Sequence, residues 1–146
     1  MATTVADLET TLRARGQRVT PQRLAIAAVV GELRHHATAD EISGLVARRV
    51  PGISLPTVYA TLELLEELGL VRRVATETGT AVFDPRTDAH HHVVCRRCGA
   101  IADIEAPADH LDVLRAAEAA GYRADEAQVV VRGVCAGCRA AAADPG

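Results

Sequence analysis

Four cysteines form two Cys-x-x-Cys pairs, Cys95 with Cys98 and Cys135 with Cys138. This is the ligand spacing of a tetrahedral zinc site, because each pair can turn both of its sulfur atoms toward one point. Two disulfides or one redox-active pair are the alternatives. We expect a cytoplasmic chain, since no signal-peptide pattern is present, and structural disulfides are rare in the cytoplasm. Each pair also follows a Val-rich strand instead of opening a helix, so the sequence favours zinc.

Three adjacent histidines, His90, His91 and His92, precede the first cysteine pair. Alternate side chains of an extended segment share a face, so His90 and His92 point to one side and His91 to the other. Asp84 and Asp103 flank the triplet and can add carboxylate oxygens if the chain folds back. Such a mixed set of nitrogen and oxygen donors suits Fe²⁺, Mn²⁺ or Zn²⁺. The alternative is a polar, solvated turn that happens to be rich in histidine.

The composition of the 146-residue chain is that of one globular domain or two small ones. A hydrophobic fraction of 49% excludes a disordered chain. No apolar run reaches the ~18 residues of a membrane helix, so no membrane association is expected. The first 75 residues hold nine Arg and eight acidic residues, whereas the remainder holds seven and eleven. A nucleic-acid site is therefore expected in the first half of the chain.

Capping signals predict four helices in that first half. They are the capping boxes Thr4–Asp7 and Thr38–Glu41, the pair Thr20–Pro21, and Ser54. Gly16, Pro51–Gly52 and Gly69 end three of these helices, and the second runs through Val30. Apolar residues at helical spacing predict the buried faces. These are Val5, Leu8 and Leu12 in the first helix, Ile42, Leu45 and Val46 in the third, and Val58, Leu62, Leu65 and Leu68 in the fourth.

Two alternating segments, Leu70–Val74 and Thr80–Phe83, surround a turn at 77–79 and predict a hairpin. Helices followed by a hairpin are the order of a winged helix-turn-helix, in which the last helix enters the major groove of DNA. A helical bundle with solvated arginines is the alternative. The predicted contacts to base edges or phosphates on the fourth helix are Ser54, Thr57, Tyr59 and Thr61. The predicted phosphate contacts elsewhere are Arg13, Arg15, Arg18, Gln22, Arg23, Arg72 and Arg73.

The pattern changes after the segment 85–88, which we interpret as a hinge between a winged-helix domain, 1–84, and a second domain, 89–146. The second domain is predicted to contain strands at His91–Val94, Ala100–Ile104 and Ala127–Val131 and a helix from Ala108 to about Ala120. Its core is small, so a zinc ion and burial of one face by dimerisation are expected to stabilise it. The predicted fold class is therefore α+β, a winged helix followed by a small α/β dimerisation domain with a four-cysteine zinc site.

Five segments in order together resemble the ferric uptake regulator (Fur) family of metal-dependent repressors. They are RVTPQR (18–23), HATADEI (36–42), TVYATLELLEELGLV (57–71), HHHVVCRRCG (90–99) and GVCAGC (133–138). The resemblance implies a homodimer that binds a double-stranded DNA operator and holds structural Zn²⁺ on its four cysteines. It also implies a regulatory Fe²⁺ or Mn²⁺, with Zn²⁺ as a further option, at the hinge. The implied regulatory ligands are His36, Asp84, His90, His92 and Asp103.

The two aspartates among these ligands resemble the peroxide-responsive (PerR) branch of the family. In that branch Fe²⁺ reacts with hydrogen peroxide and a ligand histidine is oxidised, which corresponds to His36 or His90 here. An iron- or zinc-uptake regulator of the same family is the alternative. A further metal site of the family is only partly matched, because His91 and His110 are present but Ala89 and Ala127 occupy its other positions.

A zinc-binding hydrolase or redox protein using His90, His92 and Asp84 is the competing class of function. No candidate nucleophile accompanies these ligands in the sequence. We therefore predict that the chain is not an enzyme.

Overall fold

The computed structural model describes residues 5–76, 78–105 and 111–143. It contains two compact units, Met1–Thr87 and Asp88–Gly146, and the division falls within the segment 85–88. Within the described ranges, no helix is both long enough and apolar enough to cross a membrane. The predicted cap at Thr4 and the predicted helix start at Ala108 lie outside the described residues.

The described residues of the first unit form four helices and a three-stranded sheet. The elements are α1 (Val5–Ala14), α2 (Pro21–Glu32), β1 (Ala37–Thr38), α3 (Ala39–Ala47), α4 (Leu55–Glu67), β2 (Arg72–Ala75) and β3 (Ala81–Asp84). The predicted caps of α2, α3 and α4 are confirmed, because Thr20, Thr38 and Ser54 each accept a hydrogen bond from the backbone N–H three residues later. The capping box of α3 is reciprocal, since the Glu41 carboxylate also accepts from the Thr38 backbone N–H at 2.8 Å.

The core of the first unit lies where the helices meet the sheet. Its fully buried side chains include Leu8, Leu12, Ile26, Ile42, Val58, Leu62 and Phe83. Two predicted core positions are wrong: Leu45 is 37% exposed and Val5 is 42% exposed. Ile42 and Val46, one turn apart, already fill the inward face of α3 and leave Leu45 at its side, while Val5 is the first residue of α1. Leu68, also predicted to point inward, is half-buried.

The sheet of the first unit has the strand order β1-β3-β2 and is antiparallel throughout. Strands β2 and β3 form the predicted hairpin, each starting one or two residues later than the sequence indicated. Strand β1 was not predicted, because two residues carry no detectable period. It pairs Ala37 with Phe83, and this register sets His36, the residue before the strand, opposite Asp84.

The part of the second unit that the structure describes is a three-stranded sheet with two helices. Its elements are β4 (His91–Cys95), β5 (Ile101–Ile104), α5 (Leu111–Ala119), β6 (Val130–Gly133) and α6 (Ala136–Ala143). The strand order is β5-β4-β6, so β4 is central, antiparallel to β5 and parallel to β6. Strand β6 begins three residues later than predicted, and α6 was not predicted. The α+β class with its winged-helix order of elements is confirmed.

Replacing Thr38 by Ala should lower the free energy of unfolding by about 1 kcal/mol, since the first turn of α3 loses its cap. Urea titration followed by circular dichroism measures this change. Thr10→Ala is the matched control, because the Thr10 hydroxyl only donates to the Ala6 carbonyl oxygen on the exposed face of α1. It should change the free energy by less than about 0.5 kcal/mol. Equal effects of the two substitutions would contradict a capping role for Thr38.

Candidate metal centres and DNA-facing surface

The four cysteines meet at one point of the second unit. Cys95 ends β4, Cys98 follows in a turn, and Cys135 and Cys138 lie at the start of α6. Their four Sγ atoms lie within 4.8 Å of one another, and Cys98 Sγ is 3.7 Å from Cys135 Sγ. A tetrahedral ion with Zn–S bonds of about 2.3 Å sets its sulfurs ~3.8 Å apart. The cysteines are free thiols, and the donor set fits zinc. The prediction that neither cysteine pair opens a helix is wrong for the second pair, because α6 begins between Cys135 and Cys138.

Backbone groups prepare this cluster for a cation. The Cys135 N–H donates to Cys95 Sγ at 3.3 Å, and the Cys138 N–H donates to Cys135 Sγ at 3.4 Å. The first of these bonds is the largest of the effects that lower the pKa of Cys95 to about 6. Hydrogen bonding to the other thiols, Cys135 first, raises the pKa of Cys138 to about 12. Deprotonation is thus favoured at Cys95 and disfavoured at Cys138. A bound cation would supply the positive charge that stabilises all four thiolates.

In the first unit, His36 and Asp84 form a buried pair. His36 Nε2 lies 3.3 Å from Asp84 Oδ2, and the two side chains are 7% and 3% exposed. The pairing of β1 with β3 creates this contact. The other carboxylate oxygen of Asp84 accepts the backbone N–H of Arg86 at 2.9 Å, which fixes the orientation of the carboxylate. Burying an aspartate is costly unless it is paired or bound to a metal, so this pair is a candidate half of a metal site.

In the second unit, His90, His92 and Asp103 form a second group of donors. The pairing of β4 with β5 sets His92 opposite Asp103. The Nε2 atoms of His90 and His92 are 3.0 Å apart, and Asp103 Oδ1 lies 3.5 and 3.6 Å from them. Ligands of one ion at about 2.1 Å from it are ~3.0–3.4 Å apart, which is close to this triangle. The prediction that His90 and His92 share a face is confirmed.

The alternative of a solvated, histidine-rich turn is wrong. His90, His91 and His92 are each at most 3% exposed. Two second-unit partners of these rings were not found from the sequence. The Asp88 carbonyl oxygen lies 2.7 Å from His90 Nδ1, and Gln128 Nε2 lies 3.2 Å from His92 Nδ1. A backbone carbonyl carries no residue signal, and Gln128 belongs to none of the motifs.

His91 faces away from its two neighbours, and its Nδ1 accepts the Val129 backbone N–H at 3.3 Å. That bond gives His91 a structural role between β4 and the segment before β6. His110 lies outside the described residues. A third metal site using His91 and His110 therefore stays a prediction.

Helix α4 presents only part of the predicted polar face. Ser54 and Tyr59 are exposed and Thr57 is half-buried. Thr61 is 3% exposed, and its hydroxyl donates to the Thr57 carbonyl oxygen at 2.9 Å. The prediction that Thr61 faces DNA is wrong, because it lies on the stripe of Val58 and Leu65, which faces the core. Tyr59 is a large exposed side chain of this helix, at 41%.

The predicted phosphate contacts before and within α2 are mostly on the surface. Arg13, Arg15, Arg18 and Gln22 are exposed, and Arg13 forms an ion pair with Glu9 at 3.3 Å. The half-buried Arg23 donates to the Arg18 carbonyl oxygen at 2.6 Å, so its guanidinium group orders the loop before α2.

The two arginines of the hairpin are used within the first unit. Arg72 donates through Nε and a terminal nitrogen to the Thr87 carbonyl oxygen at 3.0 and 2.9 Å. Arg73 pairs with Glu66 at 3.0 Å and lies over the Phe83 ring at 5.4 Å from its centroid. Their predicted phosphate contacts would compete with these bonds.

The sequence profile of the ferric uptake regulator family matches residues 14–132. The chain belongs to the Fur family. Ferric uptake regulation protein 1 of Mycolicibacterium fortuitum is 41% identical over 125 residues, which cover 85% of this chain and 77% of that protein. The peroxide operon regulator of Bacillus subtilis is 35% identical over 129 residues, which cover 88% of each chain.

The structure of a Fur protein from Pseudomonas aeruginosa with manganese is similar at a TM-score of 0.71 and 25% identity. The match covers 88% of this chain and 97% of that one. The resemblance noted in the sequence is therefore confirmed. This Fur-family chain is a metal-responsive regulator of transcription and not an enzyme, so the hydrolase alternative is wrong. Fur-family regulators bind DNA and are typically dimers.

Replacing Cys98 by Ser should remove tightly bound zinc and the cooperative unfolding of the second unit, because structural zinc contributes on the order of 10 kcal/mol in small modules. Elemental analysis of the purified protein, together with thermal unfolding, measures both effects. Arg96→Ala is the control, since Arg96 is an exposed neighbour in the same turn. A Cys98→Ser protein that keeps one zinc per chain would contradict the assignment.

Proposed function

We propose that this chain is a metal-dependent, DNA-binding repressor that senses hydrogen peroxide. One observation carries this function: each unit contains its own group of metal donors whose histidine side chains are buried, and the carboxylate in each group is an aspartate. The groups are His36 with Asp84 in the first unit and His90 and His92 with Asp103 in the second. One Fe²⁺ or Mn²⁺ would join the two groups, with Zn²⁺ as a further option, while a structural Zn²⁺ occupies the four cysteines.

A metal ion bound by the donor groups of both units would control DNA binding. In a homodimer, two copies of α4 must meet successive major grooves of an operator, about one helical turn apart. An ion held by His36 on one side and by His90 and His92 on the other would fix the angle between the units. Without the ion, the two recognition helices would lose their spacing. A repressor of this kind acts in the cytoplasm, where the four cysteines also stay reduced.

The nitrogen and oxygen donors support a redox-active ion in the regulatory site. Imidazole and carboxylate ligands suit Fe²⁺ and Mn²⁺, and the Fur protein from Pseudomonas aeruginosa was solved with manganese. When bound, Fe²⁺ supplies the electrons that cleave the O–O bond of hydrogen peroxide. The net reaction transfers one oxygen atom from hydrogen peroxide to an imidazole and releases water. The ring of His36 or His90 would accept that oxygen, become a weaker ligand and release the metal.

An iron- or zinc-uptake regulator is the second candidate function. It is favoured by the relative from Mycolicibacterium fortuitum, which is named a ferric uptake regulation protein. The peroxide function is favoured by the relative from Bacillus subtilis, which is named a peroxide operon regulator. Reactivity with peroxide separates the two.

Removing the regulatory metal should abolish specific binding to operator DNA. Replacing His36 by Ala should weaken operator binding by about tenfold or more, because the first unit then loses its nitrogen ligand. Gel-shift titration on the chain's own promoter region, with and without Mn²⁺, measures this. Tyr59→Ala is the control: it should weaken operator binding while leaving Mn²⁺ affinity unchanged, since Tyr59 is exposed on α4 and distant in sequence from every ligand. Unchanged operator affinity after chelation would contradict the switch.

A low dose of hydrogen peroxide should add one oxygen atom to His36 or His90 of the Fe²⁺-loaded protein but not of the Zn²⁺-loaded protein, because Zn²⁺ has no redox chemistry. Peptide mass spectrometry locates the adduct. His35 is an internal control, since it is exposed and adjacent to His36 but outside the proposed ligand set. Asp103→Glu should reduce the adduct while keeping metal-dependent DNA binding. Absence of the adduct from both rings of the iron form would make the protein an uptake regulator.

A further inference from the structure

A chain of hydrogen bonds runs through the second unit from Gln128 to Asp88. Gln128 Nε2 is 3.2 Å from His92 Nδ1, His92 Nε2 is 3.0 Å from His90 Nε2, and His90 Nδ1 is 2.7 Å from the Asp88 carbonyl oxygen. The two histidine rings are buried, whereas Gln128 is exposed just before β6. Gln128 therefore contacts a proposed metal ligand from the side opposite to the metal.

The direction of each bond follows from its end groups. A carbonyl oxygen only accepts, so His90 Nδ1 carries a proton and His90 Nε2 offers a lone pair. The amide nitrogen of Gln128 donates, so His92 Nδ1 accepts and the proton of a neutral His92 ring lies on Nε2. His92 Nε2–H then donates to His90 Nε2. With both rings neutral, these bonds leave a lone pair on the metal-binding nitrogen of His90 and a proton on that of His92.

Metal binding through His92 Nε2 requires the other tautomer, with the proton on Nδ1. The bond to Gln128 must then reverse. A glutamine amide is suited to this, because rotating it by half a turn replaces its N–H₂ donor with its oxygen acceptor. A glutamate would accept only, and a lysine would donate only.

We infer that Gln128 is a positioning residue for His92, whose amide holds the ring in either tautomer and so sets the affinity of the regulatory site for its metal. The inference rests on the proposed function, because it requires His92 to bind a metal. Partners of this kind commonly change metal affinity by 10- to 100-fold. Gln128 acts through the orientation and tautomer of the ring and does not touch the metal.

The first test uses metal-free protein with zinc retained on the four cysteines. ¹⁵N NMR distinguishes the protonated from the unprotonated nitrogen of a neutral ring. His92 should carry its proton on Nε2 in the wild-type protein and on Nδ1 in Gln128→Glu. His90 should stay protonated on Nδ1 in both, because its partner is a backbone carbonyl. A Gln128→Glu protein in which His92 keeps its proton on Nε2 would overturn the inference without any reference to metal binding.

The second test titrates the same zinc-loaded proteins with Mn²⁺, with free Mn²⁺ measured by electron paramagnetic resonance. Affinity should rise about tenfold in Gln128→Glu and fall about tenfold in Gln128→Lys. Val131→Glu and Val131→Lys are the matched charge controls, since Val131 is 46% exposed and lies in β6, three residues after Gln128. These controls should change affinity less than twofold.

The outcomes separate this inference from the function on which it rests. If the wild-type protein binds no Mn²⁺ beyond its zinc, the proposed regulatory site is wrong. If the wild-type protein binds Mn²⁺ but the Gln128 variants match their Val131 controls, the regulatory site stands and the role of Gln128 is overturned.

Discussion

Hydrogen bonding of β4 to strands on both of its sides is the constraint on which the second unit depends. The register with β5 sets His92 opposite Asp103, and the register with β6 sets Cys95 opposite Gly133, two residues before Cys135. The cysteine cluster and the histidine group of the second unit therefore share strand β4, where Cys95 lies three residues after His92. The central strand of a sheet is a rigid platform, so side chains placed on it keep fixed spacings.

In the first unit, a much shorter strand positions the metal donors. Strand β1 has two residues, yet its pairing with β3 is what sets His36 opposite Asp84. The helix that follows begins at once, held by the capping box of Thr38 and Glu41. A histidine before a short strand and a cap directly after it leave the backbone at His36 little freedom. The ligand pair of this unit therefore forms from local pairing and capping.

The sequence predicted what depends on local chemistry and short periods. Caps located the starts of α2, α3 and α4, the alternation of β-strands located the hairpin, and the cysteine spacing located the cluster of sulfurs. Features without such signals were missed. Strand β1 is too short for a period, and α6, rich in alanine, lacks an apolar stripe. Thr61 looked like a surface residue because its type is polar, but the Thr57 carbonyl oxygen satisfies its hydroxyl in the core. The contact of Gln128 with His92 joins residues far apart in sequence.

The double use of β4 has a consequence for how the second unit folds. Side chains alternate along a strand, so a slip of β4 by one residue would turn every side chain of the strand to the other face. His91 would then lie on the face that His90 and His92 occupy in the native pairing, and Cys95 would point away from the other cysteines. Of the registers open to the strand, the native one presents four sulfurs to a single point. An ion that binds four thiolates more tightly than two or three would therefore bind the native pairing of β4 more tightly than a slipped one. Metal binding to the four cysteines would then select the native register of β4 as the sheet forms.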